Sequence, residues 1–355
     1  MGTELMNSDS TVINVRSDTQ TLPTDAMRRA MADAELGDET YHEDPTVRHL
    51  EDRIAALTGT ESAMLVLSGT MANLVALMTH CRPGDEVFLD ANVHVLRAEA
   101  GGLSRVAGVT PTIVPSARGH LVARDLDAAV RPRDVIRPRP RLVWLENTHN
   151  LAGGSVLDPR TQAGIAAVAR THGLSVHLDG ARLPNAAAAL GTSWSDLTSG
   201  VDSVYLDFTK GLACPLGSVL AGPKDFIDEA RYHRRVLGGG MRQAGVIAAC
   251  ALVALDTLVE RLVLDHETAQ LLASELAMSD NYRVINDVET NIVVVDVSKL
   301  GSPRFVAERL REVGVIASLR PPHAIRLVTH LQITPALAVE TARRMERLAT
   351  ELVIA

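Results

Sequence analysis

A single lysine, Lys210, closes the alternating apolar run Val204, Leu206 and Phe208 within the stretch DSVYLDFTKGLACPLG, 202–217. Alternation of this kind makes a buried strand, and burial disfavours an ammonium at its end. Two readings are open. Either the head group of Lys210 reaches solvent, as long side chains do, or its amine is kept neutral enough to attack an aldehyde and form a Schiff base. The second reading requires a phosphate cradle, a carboxylate for a pyridinium nitrogen, and anchors for an anionic substrate. Ser68, Gly69 and Thr70 follow the apolar run 63–67 and precede helical spacing over 71–80. They present backbone N–H groups and two hydroxyls to a phosphate, or form an ordinary cap. Asp179 ends the apolar run 174–178, where a carboxylate needs a cationic partner. A protonated pyridine nitrogen is one such partner and would make the ring an electron sink; Arg182, three residues on, is another. His94 lies in a loop after a strand and is a surface residue unless a flat ring needs a stacking partner.

The elements that carry these residues repeat as strand, turn, helix. Short apolar strands over 63–67, 86–89, 112–114, 141–145, 174–178 and 204–208 alternate with helices, and a further strand follows at 218–221. This is the signature of an α/β chain with a mostly parallel sheet flanked by helices, in which ligands bind beyond the carboxyl ends of the strands. The polar clusters SGT, ENTHN, DGAR and TKG all fall there. After a glycine-rich stretch, 237–245, and an apolar helix to about 258, the pattern changes to a smaller α+β domain. The expected division is an N-terminal arm at 1–22, a large domain at 23–260 and a small C-terminal domain at 261–355.

Composition narrows the function. A net charge of −8 and 3% aromatic residues argue against nucleic-acid binding, which wants a basic face and stacking platforms. Cys81, Cys214 and Cys250 are odd in number and widely spaced, which fits a reducing compartment and neither a disulfide framework nor zinc; no metal is expected. The first residues lack a basic stretch followed by an apolar core, and no apolar run reaches spanning length. A soluble, cytoplasmic protein without a membrane partner is expected.

Several motifs occur in a fixed order: RSDT at 16–19, SGTMAN at 68–73, EAGG at 99–102, LENTHN at 145–150, HLDGAR at 177–182, KGL at 210–212, GGGMRQ at 238–243 and RLVTH at 326–330. In this order they resemble the threonine aldolase family of fold-type I pyridoxal-phosphate enzymes, within the β-eliminating lyases, from about residue 14 to 350. The resemblance implies pyridoxal 5'-phosphate as cofactor, Lys210 as the Schiff-base lysine, Asp179 as the pyridinium partner and His94 as the stacked histidine. It implies Ser68, Gly69 and Thr70 as the phosphate cradle, with Thr209 and Arg242 added, Arg242 from a neighbouring subunit. Ser17, Arg182 and Arg326 match the groups that hold the substrate carboxylate. The implied reaction is retro-aldol cleavage of a β-hydroxy-α-amino acid to glycine and an aldehyde, in a homotetramer with shared active sites. His94, His149 or a water could be the base.

The chain departs from the family's pattern at four places. Ile136 stands for a histidine near the substrate hydroxyl, His42 for a glycine, Ala98 for an aromatic and Arg235 for a lysine. Ile136 and Ala98 together suggest a wider, more apolar pocket, with His42 as a replacement contact for the hydroxyl. Alternatives are β-elimination, transaldolation or aldol condensation on the same cofactor, and an inactive regulatory or structural protein that binds it.

Overall fold

The computed structural model describes residues 12–354, which divide into two compact units: Leu22–Glu260, and residues 12–21 together with 261–354. The larger unit is built on seven strands: β1 (Ser62–Val66), β2 (Asp85–Leu89), β3 (Thr110–Ile113), β4 (Arg139–Glu146), β5 (Ser175–Gly180), β6 (Ser203–Asp207) and β7 (Ser218–Gly222). They lie in the order β1-β7-β6-β5-β4-β2-β3. β7 runs antiparallel to both neighbours and the other six are parallel to one another. All residues of β6 and β7 are buried, as in a sheet covered on both faces.

The register explains how the site is placed. Glu146, Asp179 and Tyr205 stand opposite one another on β4, β5 and β6, and two residues earlier Trp144, His177 and Ser203 do the same. Because side chains alternate along a strand, both rows project from one face of the sheet. Helix Gly69–His80 serves that face. Ser68 caps it by accepting from Met71 N at 3.3 Å. Asn73 reaches Asp179, and His80, two turns on, reaches Ser203.

Some elements differ from the sequence expectation. The strand expected at 112–114 is Thr110–Ile113. Two short strands, Ser116–Ala117 and His120–Leu121, form a hairpin, and Lys224–Val236 is a helix. The charge of that helix hides its inward face, where Arg234 is buried beside Ile227 and Ala230.

In the smaller unit, β8 (Arg283–Val284), β9 (Ile292–Asp296), β10 (Ser318–Arg320) and β11 (Ala324–Val328) form an antiparallel sheet ordered β8-β9-β11-β10. Val293, Val295, Ile325 and Leu327 of this sheet share a core with Leu272 and Met345 from helices Leu262–Ala277 and Pro335–Ile354. Over the described part of the arm set out at 1–22, Ile13–Asn14 pairs in parallel with Val315–Ile316, and Ile13 and Val15 enter the same core. Residues 1–11 lie outside the described residues.

Candidate active site

The carboxyl ends of the parallel strands bring Asp179, His94, His149, Lys210 and Thr209 into one region, together with the start of helix Gly69–His80. Asp179 has no exposed surface. Its Oδ2 accepts from Asn73 Nδ2 at 3.0 Å and its Oδ1 from the Ala181 backbone at 3.1 Å. Both donors are neutral. Burial, and then the charge of Glu146, push its carboxyl up to about 6, against the pull of His94 and Lys210. A buried acid of this kind calls for a cation, and among the described residues no hydrogen bond or ion pair joins a cationic side chain to it.

His94 opens the short helix His94–Arg97, and its backbone N–H donates to Glu146 Oε2 at 2.6 Å. Its Nδ1 lies 2.8 Å from Glu99 Oε1, and about a third of its side chain is exposed. Burial lowers its pKa, but the Glu99 hydrogen bond and the charges of Asp179, Glu99 and Glu146 outweigh this and raise it above the ordinary histidine value. His149 is fully buried. Its Nε2 lies 3.1 Å from Asp90 Oδ1, and its Nδ1 accepts from Ala152 N at 3.1 Å. Burial is again outweighed, here by Glu146, Asp90 and Asp179, which favour the cation. The Ala152 N–H opposes them, because it needs a lone pair on Nδ1. The geometry therefore makes His149 an Nε2–H donor, with both nitrogens committed.

Lys210 Nζ pairs with Asp207 Oδ2 at 2.9 Å. Asp207 Oδ1 accepts from both the backbone and the hydroxyl of Thr209, at 2.8 and 2.7 Å. Burial would raise the Asp207 pKa, but the Lys210 charge and these hydrogen bonds hold it below the usual carboxylate range. Gly69 lies against the same group: a Cβ there would sit 2.8 Å from Tyr205 Oη and 3.2 Å from Asp207 Oδ2. The helix that begins at Gly69 has its first N–H groups without helical partners, beside the exposed Ser68 and Thr70. Arg182 is buried just beyond β5.

Other residues singled out in the sequence lie elsewhere. Arg242 is exposed and bonds Thr40 Oγ1, with Asp38 at 3.7 Å. His42, exposed at φ 58°, lines a separate cavity of about 610 Å³ with Arg231, Arg234 and Arg235. Ala98 is exposed just after the His94 helix. Ile136 is 84% exposed before the amino end of β4, at the opposite end of that strand from Glu146, so one chain does not bring it to its own Asp179. In the smaller unit, Arg326 Nη2 donates to the carbonyl of Arg16 at 3.3 Å, next to Ser17, whose hydroxyl accepts from Thr19 N. Sequence reasoning gave no role to Asn73, Glu99, Asp207 or Asp90. The signal available was an acid two residues past an apolar strand position, as at Asp207, and it was overlooked beside Lys210.

The donor set fits a phosphorylated pyridine aldehyde. It offers an amine, a buried carboxyl in want of a cation, a histidine ring, and a helix start for the phosphate. Fold and site together define a fold-type I pyridoxal-phosphate enzyme. The family model described as β-eliminating lyase matches residues 14–300. Low-specificity L-threonine aldolase 1 of Arabidopsis thaliana is 43% identical over 331 residues, covering 91% of this chain and 92% of its own. The low specificity L-threonine aldolase of Escherichia coli O157:H7 is 37% identical over 93% of this chain and 97% of its own. A threonine aldolase structure from Leishmania major superimposes with a TM-score of 0.82 at 21% identity, over 95% of this chain and 99% of that one. The chain belongs to the β-eliminating lyase family, among the threonine aldolases.

Proposed function

We propose that this protein cleaves a threonine-like β-hydroxy-α-amino acid to glycine and an aldehyde. The observation that carries the reading is Asp179, buried and pushed up to about 6, with His94 and Lys210 as the cationic groups that act on it. Pyridoxal phosphate, when bound, supplies a cationic ring that takes up the electron pair released as Cα–Cβ breaks. The chain's residues do the rest. Lys210, paired with Asp207 in the free protein, would supply the amine that holds the cofactor's aldehyde. Asp179 would hold the ring nitrogen as its protonated form, and His94 would lie against the ring. Ser68, Gly69 and Thr70, with Thr209, would hold the phosphate. Ser17 and Arg326, which the smaller unit holds together, and Arg182 take the substrate carboxylate, fixing which bond at Cα can break. His94 is better placed than His149 to accept the hydroxyl proton, since the Nε2 of His94 is free of the bonds that commit both nitrogens of His149. His42 is a further candidate contact for the hydroxyl. The exposed Arg242 serves a neighbouring subunit in a homotetramer, and the protein works in the cytoplasm. Among the described residues, no helix is long and apolar enough to cross a membrane.

Two measurements test this. Borohydride reduction of the loaded protein followed by peptide mapping should label Lys210, and threonine should yield glycine and acetaldehyde in equal amounts. Label on another lysine refutes the assignment of Lys210. 2-Oxobutanoate and ammonia as the products would replace cleavage with elimination.

A further inference from the structure

We infer that Asn73 and Glu99 are positioning residues, Asn73 tying the Glu99–His94 pair to Asp179 so that the histidine and the buried carboxylate are set as one unit. Asn73 Nδ2 lies 2.7 Å from Glu99 Oε1 and 3.0 Å from Asp179 Oδ2. An amide nitrogen carries two hydrogens, and here each is spent on a different carboxylate. The reverse orientation would aim Asn73 Oδ1 at two anionic oxygens, so the two carboxylates fix the amide. Glu99 Oε1, receiving from Asn73, also meets His94 Nδ1 at 2.8 Å. The chain of contacts is therefore His94, Glu99, Asn73, Asp179, drawn from a short helix, a loop, helix Gly69–His80 and the end of β5.

Stability alone does not account for Asn73. Its Oδ1 is buried without a partner, and so is Glu99 Oε2. Each such orphan carries a desolvation cost, and an apolar residue at position 73 would avoid that of Oδ1 but take the shared donor from both carboxylates. What the amide supplies is a neutral donor shared by two acids in a crowded field, since Glu99, Glu146 and Asp179 all face His94. Asp179 in turn faces Glu146, His94, Lys210 and Glu99. Charged acceptors strengthen both bonds. With the Nδ1 proton held by Glu99, His94 exchanges protons through Nε2 alone.

The inference concerns the chain's own residues and rests on the proposed reaction only for its use. The test is made on the cofactor-free protein. In the wild type, labelled with ¹⁵N-histidine, His94 should titrate above its ordinary value and be the Nδ1–H tautomer when neutral. In Glu99→Gln its midpoint should fall by about one pH unit or more and the tautomer preference should be lost. In Asn73→Ala, isotope-edited infrared should show the Asp179 carboxyl titrating about one unit higher than in the wild type. Wild-type titration of His94 in Glu99→Gln, or of Asp179 in Asn73→Ala, overturns the inference. If Asn73→Ala does not fold, the wild-type side-chain amide decides. Both its protons should exchange slowly, and rapid exchange of either overturns the link. Borohydride labelling of Lys210 in the same variants reads the cofactor assignment separately, so failure of one does not mimic failure of the other.

Discussion

The row of polar groups behind the site makes this chain sensitive to acid in a way that one substitution can isolate. Ser203 Oγ lies 2.6 Å from His80 Nε2 and 2.7 Å from His177 Nδ1. His177 Nε2 is buried without a partner. A lone pair left there costs less than an orphaned N–H, so His177 donates from Nδ1 to Ser203, and the serine hydroxyl donates on to His80. Both rings must be neutral. Burial, with Arg141 adding to it, lowers the His80 pKa from 6.5 to about 3. Burial and then His80 lower that of His177 too. The folded value is depressed, so the stability His80 contributes is fully present above pH 6.5 and is lost as pH falls from 6.5 towards about 3. At pH 5 the unfolded chain has gained about 2 kcal/mol from protonating this one side chain. The 8% of His80 that stays exposed makes this an upper limit. His80→Gln should lose about 1–3 kcal/mol at pH 8 through the Ser203 bond. That deficit should shrink by about 2 kcal/mol at pH 5, because the glutamine does not titrate. His177, His94 and His149 are present in both proteins and cancel to first order. Urea unfolding of both proteins at fixed concentration, at pH 8 and pH 5 with equal slopes, measures the difference. An equal deficit at the two pH values refutes the argument that His80 is held neutral.

Three further outcomes are expected. Gly69→Ala places a methyl 2.8 Å from the buried Tyr205 hydroxyl, so the helix start must move. Affinity of the cofactor-free protein for pyridoxal phosphate, followed by fluorescence quenching, should fall about tenfold, and overpacking should cost about 1–3 kcal/mol; unchanged affinity would sever Gly69 from the phosphate. Gly119→Ala puts a Cβ 2.5 Å from the His149 ring at a φ of 83°, and a thermal melt should report at least about 2 kcal/mol of destabilisation. Arg326→Lys keeps the charge and loses the planar fork, so KM for the amino acid should rise about tenfold or more with kcat less affected; a loss confined to kcat would remove Arg326 from carboxylate binding.

The parallel sheet was legible because apolar strands ended repeatedly in polar clusters, and Lys210 and Asp179 stood out as charges where the hydrophobic pattern stopped. Asn73 and Glu99 carried no such mark: Asn73 meets Asp179 across 106 positions of sequence, and only the folded register joins them. The 116–121 hairpin was silent for a local reason. Its turn needs positive φ at both central positions, and Arg118, at 54°, is a residue that seldom signals it. The departure at Ile136 was legible in type, whereas its position, before the amino end of β4 and so at the opposite end of the strands from Glu146, is set only by the fold. The alternation His177, Asp179 and Trp144, Glu146 was readable in principle. It pairs each site residue with a core residue two positions before it on the same face.

The strand Ile13–Asn14 finds its partner at Val315–Ile316. On a ribosome the first of these leaves the exit tunnel long before the second is made. The larger unit is contiguous, so it can be complete while the opening segment is still waiting. Ile13 and Val15, apolar and destined for burial, must be carried through most of synthesis without their core. Ser17 acquires its fixed position only when the last quarter of the message has been read.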